Sequence, residues 1–315
     1  MKSVIVMCTY NARQNSSEHF IDQLESVRNQ DLKAGKVLIQ DDHSSDDTVQ
    51  FVRDYIDTHK LDSWIVRENE RNLGFATNFH NAIMFASSLG DVVFFCDQDD
   101  VWDTRKLEIM LPIMEARPDI SLLCHEYVPV DSDGNEIPNW GTSGLLRDGS
   151  GSIERVIPKS GGAYIWLGWT MAVKSSFLQV TDSYWFEGWA HDEWVWKCSQ
   201  AAAGCFVLHR VLGKHCIHGK NATGHKIHNL KRRIEETEKK YKGDLAARAL
   251  AECFQAPAHI IKWFDRSARC ERLRLELLQD KKLFNAILLV RYLPYYQAKR
   301  SWLVELFMTV RGALA

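Results

Sequence analysis

Residues Val92–Trp102 read VVFFCDQDDVW. The first five are β-branched, aromatic or small and apolar, which is the composition of a strand buried on both faces of a parallel sheet. Asp97, Asp99 and Asp100 follow at once. They fall where the strand ends, and open α/β sheets bind ligands at the carboxyl ends of their strands. Carboxylates this close repel one another unless something cationic lies between them. A divalent ion holding a diphosphate meets that need, because Mg²⁺ or Mn²⁺ takes a few carboxylates and fills its shell with phosphate oxygens. A solvated acidic turn is the competing reading.

The same pattern recurs upstream. Ser3–Cys8 (SVIVMC) predicts a central strand followed by Thr9-Tyr10-Asn11, and Lys36–Gln40 (KVLIQ) predicts another that ends in Asp41-Asp42. Phe20, Ile21, Leu24 and Val27 recur at helical spacing and predict a helix over Glu18–Asn29. Helices are expected at Asp46–Thr58 and Ala76–Leu89, a short strand at Trp64–Arg67, and a turn at Asn72-Leu73-Gly74. Alternating strands and helices argue a parallel sheet with crossover helices. In such a sheet the three polar strand ends share one edge, and that convergence outweighs any single cluster.

Further along, Leu107–Glu115 reads as a helix kinked by Pro112. Ile120–Cys124 reads as a strand and Asp131–Gly134 as a tight turn. Trp140–Gly162, with six glycines, reads as a loop of the kind that closes over ligands. Trp166–Val173 predicts a strand, His191–Ala203 a helix ended by Gly204, and Phe206–Leu212 another strand. From Lys226 onward the pattern is helical and basic.

The chain of 315 residues is 45% hydrophobic and 25% charged, an ordinary globular composition. A formal net charge of −2 gives no argument for nucleic acid as a partner. The charge is uneven, however. Residues 226–315 carry 19 Lys+Arg against 10 Asp+Glu, whereas residues 1–225 carry 20 against 31. An acidic unit joined to a basic one implies two roles, the basic part suiting an anionic surface. The eight cysteines contain no Cys-x-x-Cys pair and read as reduced thiols, which argues for the cytoplasm. Residues 1–8 read as a strand rather than a signal peptide, and no apolar stretch reaches the roughly 18 residues of a transmembrane helix.

Four segments taken in order, VIVMCTYN (4–11), QDDHSSDDT (40–48), NLGFATN (72–78) and CDQDDVW (96–102), resemble the family 2 glycosyltransferases. The DQDDVW form is similar to bacterial rhamnosyltransferases of surface polysaccharide assembly. The resemblance implies an α/β GT-A fold, that of the nucleotide-diphospho-sugar transferases, with a mostly parallel central sheet. It covers residues 1–225 as a catalytic domain and leaves 226–315 as a basic helical C-terminal extension. It also implies sugar transfer from a nucleoside diphosphate to an acceptor hydroxyl, with a cation to offset charge on the leaving group.

Carried onto this chain, the resemblance makes Asp97 and Asp99 metal contacts, with Asp97 also touching the nucleotide and Asp99 the first choice of direct ligand. A late histidine ligand falls on His218, in Cys216-Ile217-His218-Gly219-Lys220-Asn221, with His215 as its competitor. Asp41 and Asp42 match base-binding acids, which could accept the N3–H of uracil or thymine. An Asx turn with helix N-capping is the competing reading for them. Thr9, Tyr10, Asn11 and Arg71 complete the nucleotide contacts. Asp192, in His191-Asp192-Glu193-Trp194, takes the place of a general base acting by inversion. Family members usually show Glu before this Asp, and here His191 stands instead. The alternative is that Asp192 and Glu193 only stabilise a first helical turn. Gly168, Trp169 and Thr170 match the segment beneath the donor sugar, and Glu193 and Trp194 lie toward the sugar and acceptor. Most tryptophans of this region are expected in the core. The leading donor is dTDP-L-rhamnose, with a UDP-hexose or UDP-N-acetylhexosamine as alternative. A nucleotide-binding scaffold without turnover is the alternative of another class.

Leu283–Val290 and Trp302–Met308 are apolar and separated by Arg291, Pro294, Lys299 and Arg300. Each is too short to span a bilayer but suits an interfacial helix. With a lipid-linked saccharide acceptor, this predicts peripheral contact at the inner face of the cytoplasmic membrane. Packing on the catalytic domain or on a second subunit is the competing expectation.

Overall fold

The computed structural model describes residues 1–137, 149–158, 167–217, 229–296 and 298–314. At its centre is β1 (Ser3–Thr9), buried along its whole length because parallel partners flank it on both sides. These are β2 (Lys36–Asp41) and β4 (Val92–Cys96). β3 (Trp64–Glu68) extends the parallel set beyond β2, giving the order 3-2-1-4. The intervening helices are α1 (Ala12–Arg28), α2 (Thr48–His59) and α3 (Phe75–Ser87). Alternate strand residues divide between two cores, as the two-residue period requires. Val4, Val6 and Phe95 face α3, while Ile5, Met7 and Phe94 face α1 and α2.

Beyond β4 the sheet becomes mixed. β8 (Met171–Lys174) lies antiparallel between β4 and β6 (Leu122–Val130). β9 (Cys205–Cys216) runs parallel to β6, and β5 (Val101–Trp102) and β7 (Ile153–Arg155) run antiparallel to β9. Six of the nine strands therefore point the same way. α4 (Lys106–Ala116), with Pro112 inside it, follows β5. α5 (Ser175–Thr181) and α6 (His191–Ala201) lie between β8 and β9.

Several boundaries differ from the sequence expectation. α1 begins at Ala12, six residues before the expected start at Glu18, because Asn11 adopts a left-handed φ of 48° and turns the strand straight into a helix. Gly168–Thr170 forms a 3-10 turn where a strand was expected, and extended backbone starts only at Met171. Trp166 lies outside the described residues. The expected loop Trp140–Gly162 contains β7, and the rest of it falls largely outside the description.

Four further helices follow, α7 (Leu230–Cys253), α8 (Ala258–Leu278), α9 (Phe284–Leu289) and α10 (Arg300–Leu314). Ala247, Leu250 and Ala251 of α7 and Ile260 and Phe264 of α8 share a core with Trp189, Trp194 and Trp196. Polar side chains run through this packing. Lys197 of α6 donates to Asp244 at 2.9 Å, and Ser267 donates to the other Asp244 oxygen at 2.6 Å. Arg274 is buried between Glu271 and Glu305, at 2.6 and 2.5 Å, with its guanidinium 4.6 Å from the Tyr296 ring centroid. A buried pair is costly to break, because the remaining charge loses its partner but not its desolvation penalty.

Arg274→Ala is accordingly expected to lower unfolding free energy by about 3–5 kcal/mol at neutral pH. Burial already raises the Glu271 pKa, and Arg274 opposes that rise. Without Arg274 the folded-state pKa climbs further above its unfolded value, so the deficit should shrink as falling pH protonates the carboxyls. Urea denaturation at about pH 7 and about pH 5 reads both effects; an equal deficit at the two would reduce the ion cluster to ordinary packing.

Candidate active site

The carboxyl-end loops of β1, β2 and β4 are tied to one another. Thr9 Oγ1 donates to Asp41 at 2.7 Å. Asp41 also accepts from the Ser44 N–H at 2.7 Å and the Ser44 hydroxyl at 2.6 Å, an Asx turn. Asn11 joins the same loops by donating its N–H to Ser44 Oγ and accepting from the Ser45 N–H, both at 2.8 Å. The Tyr10 N–H donates to Gln98 Oε1 at 3.0 Å, which links the first loop to the acidic tetrad. Asp42 accepts from the Leu73 and Gly74 N–H groups at 2.7 and 2.9 Å and from Asn69 Nδ2 at 2.8 Å. Gly74 holds a φ of +81° there, which a side chain would oppose.

These loops frame a cavity of about 450 Å³. Thr9, Tyr10 and Asp42 line it from the first two strands, and Asp97, Gln98 and Asp99 from β4. Gly168, His191, Asp192 and His215 line it from the second half of the sheet. His215 arrives through the pairing of β5 with β9, which sets Val101 beside Lys214. Its Nδ1 lies 2.7 Å from Asp100 Oδ1, which also accepts the Cys216 N–H. Asp100 Oδ2 is buried with no hydrogen-bond partner among the described residues.

Burial, then the carboxylates of Asp100, Asp99 and Asp192, pushes the Asp97 pKa well above the usual carboxylate range. Burial pushes Asp100 up to about 6 against the pull of His215. Burial opposes the His215 imidazolium, but the Asp100 carboxylate outweighs it and raises that pKa. Asp192, in the first turn of α6, is pushed up to about 6 chiefly by burial.

Asp97 and Asp99 line one cavity, and their carboxylates are the oxygen donors that suit Mg²⁺ or Mn²⁺. Among the described residues, no three His, Cys, Asp or Glu side chains could enclose an ion by themselves. That suits an ion held by one or two carboxylates and completed by substrate phosphates. His218 lies outside the described residues.

Other expected residues do not reach the cavity. Asp41 is spent on the loop network, Asn11 braces it, and Arg71 is exposed and absent from the lining. Trp169, Thr170 and Trp194 are fully buried, so they support the wall rather than form it. Trp169 packs on Gly213, where an added Cβ would sit 2.6 Å from the ring. Glu193 turns to Lys197 at 3.2 Å. Conversely, Asn72, Phe75, Asn78, Phe79 and Leu167 line the cavity without having been singled out. Asn72, Phe75 and Asn78 lay within the NLGFATN motif, but nothing in the sequence separated cavity from core there.

His191 is enclosed by aromatic rings. It stacks on Phe79 at 3.9 Å and meets Phe75 and Phe95 edge-on. Burial lowers its pKa to about 3, so the ring is neutral at physiological pH.

The description Glycosyl transferase family 2 matches residues 4–171, more than half of the chain. The chain belongs to this family. It is 28% identical over 141 residues to an Escherichia coli chondroitin synthase, covering 44% of this chain and 20% of that protein. It is 32% identical over 131 residues to WfgD of E. coli, a UDP-Glc:α-D-GlcNAc-diphosphoundecaprenol β-1,3-glucosyltransferase, covering 41% and 47%. The matched stretch thus spans less than half the length of these curated relatives. Among solved structures, residues 1–349 of S. aureus TarS superpose with a TM-score of 0.59 at 16% identity, covering all of this chain and 91% of the other. The Pyrobaculum calidifontis mannosyltransferase PcManGT, solved with GDP-Man and Mn²⁺, gives 0.54 at 17% identity, covering 99% and 86%. These likenesses establish the GT-A fold.

The cavity wall in this family 2 member depends on the missing side chain of Gly168. A Cβ there would stand 2.3 Å from His191 Nε2. Gly168→Ala is expected to displace the imidazole from Phe79 and cost about 1–3 kcal/mol of stability. The double variant Gly168→Ala/His191→Ala should recover most of that cost relative to His191→Ala alone. Thermal denaturation of the three variants measures the coupling, and additive costs would dismiss the steric account.

Proposed function

We propose that this chain is an inverting, metal-dependent glycosyltransferase in which Asp192 is the general base. The observation that carries the reading is Asp192 itself, a carboxyl raised to about 6 that opens into the cavity lined by Asp97 and Asp99. It is ionised at neutral pH yet more basic than a surface carboxylate, which is what proton removal from a hydroxyl requires. Asp192 takes the acceptor hydroxyl proton while that oxygen bonds to the anomeric carbon, and the bond from that carbon to the diphosphate breaks. One displacement inverts the configuration. A divalent cation held by Asp97 and Asp99, with His218 or His215, would offset the charge on the departing diphosphate.

The donor carries uracil or thymine. Thr9, Tyr10 and Asp42 line the cavity where the nucleotide would bind, and Asn11 and Asp41 brace the loops that carry them. The DQDDVW segment favours dTDP-L-rhamnose. The similarity to WfgD, whose name specifies UDP-Glc and a diphosphoundecaprenol acceptor, favours a UDP-hexose as second reading. The acceptor is a saccharide on a lipid carrier, extended into a surface polysaccharide at the inner face of the cytoplasmic membrane. Residues 1–225 supply the catalytic unit, and 226–315 hold it in place.

Asp192→Asn should preserve nucleotide binding and lower transfer by about 10²–10⁴-fold. Equal loss of binding and transfer would remove Asp192 from the base position. Calorimetric titration with dTDP, UDP and GDP, in Mn²⁺ and again in EDTA, separates the two donors. Tighter metal-dependent dTDP binding selects the rhamnose reading, tighter UDP binding the hexose reading, and no binding favours a scaffold. His218→Ala should weaken the Mn²⁺-dependent component; unchanged binding transfers the ligand assignment to His215.

A further inference from the structure

The last two helices expose more apolar surface than their packing uses. On α10, at 100° per residue, Leu303, Phe307 and Val310 fall in one narrow stripe, bordered by Arg300, Val304 and Arg311. Phe307 is 64% exposed and Leu303 59%. The opposite face does the packing. Thr309 donates to the Leu277 carbonyl at 3.4 Å, Glu305 is bonded to Arg274, and Trp302 Nε1 donates to the Ala286 carbonyl of α9 at 3.0 Å. That last bond sets α9 beside α10, and α9 in turn exposes Phe284 and Ile287, at 67% and 66%.

The last segment of the chain is predominantly basic, although Lys282 is paired with Glu276 and Asp280. Residues 281–315 hold six basic side chains and a single acid, Glu305, which is fully buried and neutralised by Arg274. A second copy docking by the same face would set these cations against each other, since a two-fold contact pairs a surface with itself. Anionic headgroups above an acyl layer complement both features, the apolar stripe and the cations Arg300 and Arg311 along its border. Among the described residues no helix is long and apolar enough to cross a membrane, so the contact is with a surface.

We infer that the outward face of α9 and α10, centred on Ile287, Leu303 and Phe307, docks this enzyme on anionic phospholipid; the inference rests on the lipid-linked acceptor proposed above. Arg233 in the first turn of α7 lies 3.9 Å from Glu305, so the docking helix is fixed to the chain that follows β9 and His215.

The test is co-sedimentation of the full chain with phosphatidylglycerol or phosphatidylcholine vesicles. Phosphatidylglycerol vesicles should carry down the wild type, and Ile287→Asp/Phe307→Asp should reduce the bound fraction by about tenfold. Arg300→Glu/Arg311→Glu should abolish the preference for phosphatidylglycerol over phosphatidylcholine. Nucleotide titration of the same variants should be unchanged, since none of these residues lines the cavity. A wild type that ignores phosphatidylglycerol while binding nucleotide would overturn the inference and leave the catalytic reading standing. So would a concentration-dependent dimer, seen by sedimentation velocity, that Ile287→Asp/Phe307→Asp dissolves without any lipid binding. Vesicle binding in a chain that binds no nucleotide would uphold this face and count against the donor site instead.

Discussion

Four carboxyl groups, those of Asp97, Asp99, Asp100 and Asp192, converge at one end of the sheet, and their mutual repulsion is the constraint the surroundings answer. The answer comes partly from behind. Lys106 is fully buried, its Nζ 3.3 Å above the Trp102 ring centroid and 2.6 Å from the Trp169 carbonyl. Burial pulls its pKa well down while Cys96, Asp100 and Asp97 pull it up. A lysine in an apolar wall is tolerable only with such partners. The lysine thus joins Trp102, which follows the acids, to Trp169, which follows Gly168. The front of the cluster faces the cavity, where a cation and a diphosphate would supply what the protein leaves out.

The acids at this edge sort by how their oxygens are used. Asp41 and Asp42 spend their oxygens on hydroxyls, a side-chain amide and backbone N–H groups of neighbouring loops, and they fix loop geometry. Asp192 accepts the Glu193 N–H at 2.7 Å and otherwise meets the cavity. A buried carboxylate with few donors is a stronger base than one in water. The scarcity of donors at Asp192, rather than burial, distinguishes its proposed chemistry from the bracing done by Asp41, which is itself buried, although both positions read as an acid at an element end.

What was legible in the sequence was what local pattern controls. Apolar runs ended by polar residues marked β1, β2 and β4, because a doubly covered strand has little freedom in composition. The acids of β4 and the turn at Gly74 were visible for the same reason. Long-range pairing was not legible. His215 meets Asp100 only because β5 lies antiparallel on the end of β9, more than a hundred residues away. Trp169 looked like a sugar platform, yet it is Gly168 beside it that reaches the cavity, a distinction set by a 3-10 turn that periodicity does not reveal. The bracing of the acidic loops through Gln98 was equally hidden, since a glutamine between aspartates carries no pattern of its own.

The charge asymmetry between the two parts of the chain first suggested two separate roles. In the fold they are mechanically joined. Asp192 stands in the first turn of α6, and Lys197 farther along that helix reaches both Glu193 and Asp244 of α7. Burial opposes the Lys197 ammonium, but these carboxylates outweigh it and hold it charged. Asp244 is held in turn by Ser267 of α8. The helix bearing the proposed base is therefore oriented by the C-terminal helices, through contacts too buried for solvent to screen strongly. A partner that displaces α7 and α8 would therefore act on the end of α6 through Lys197, which links the last helices to the group proposed to accept the proton.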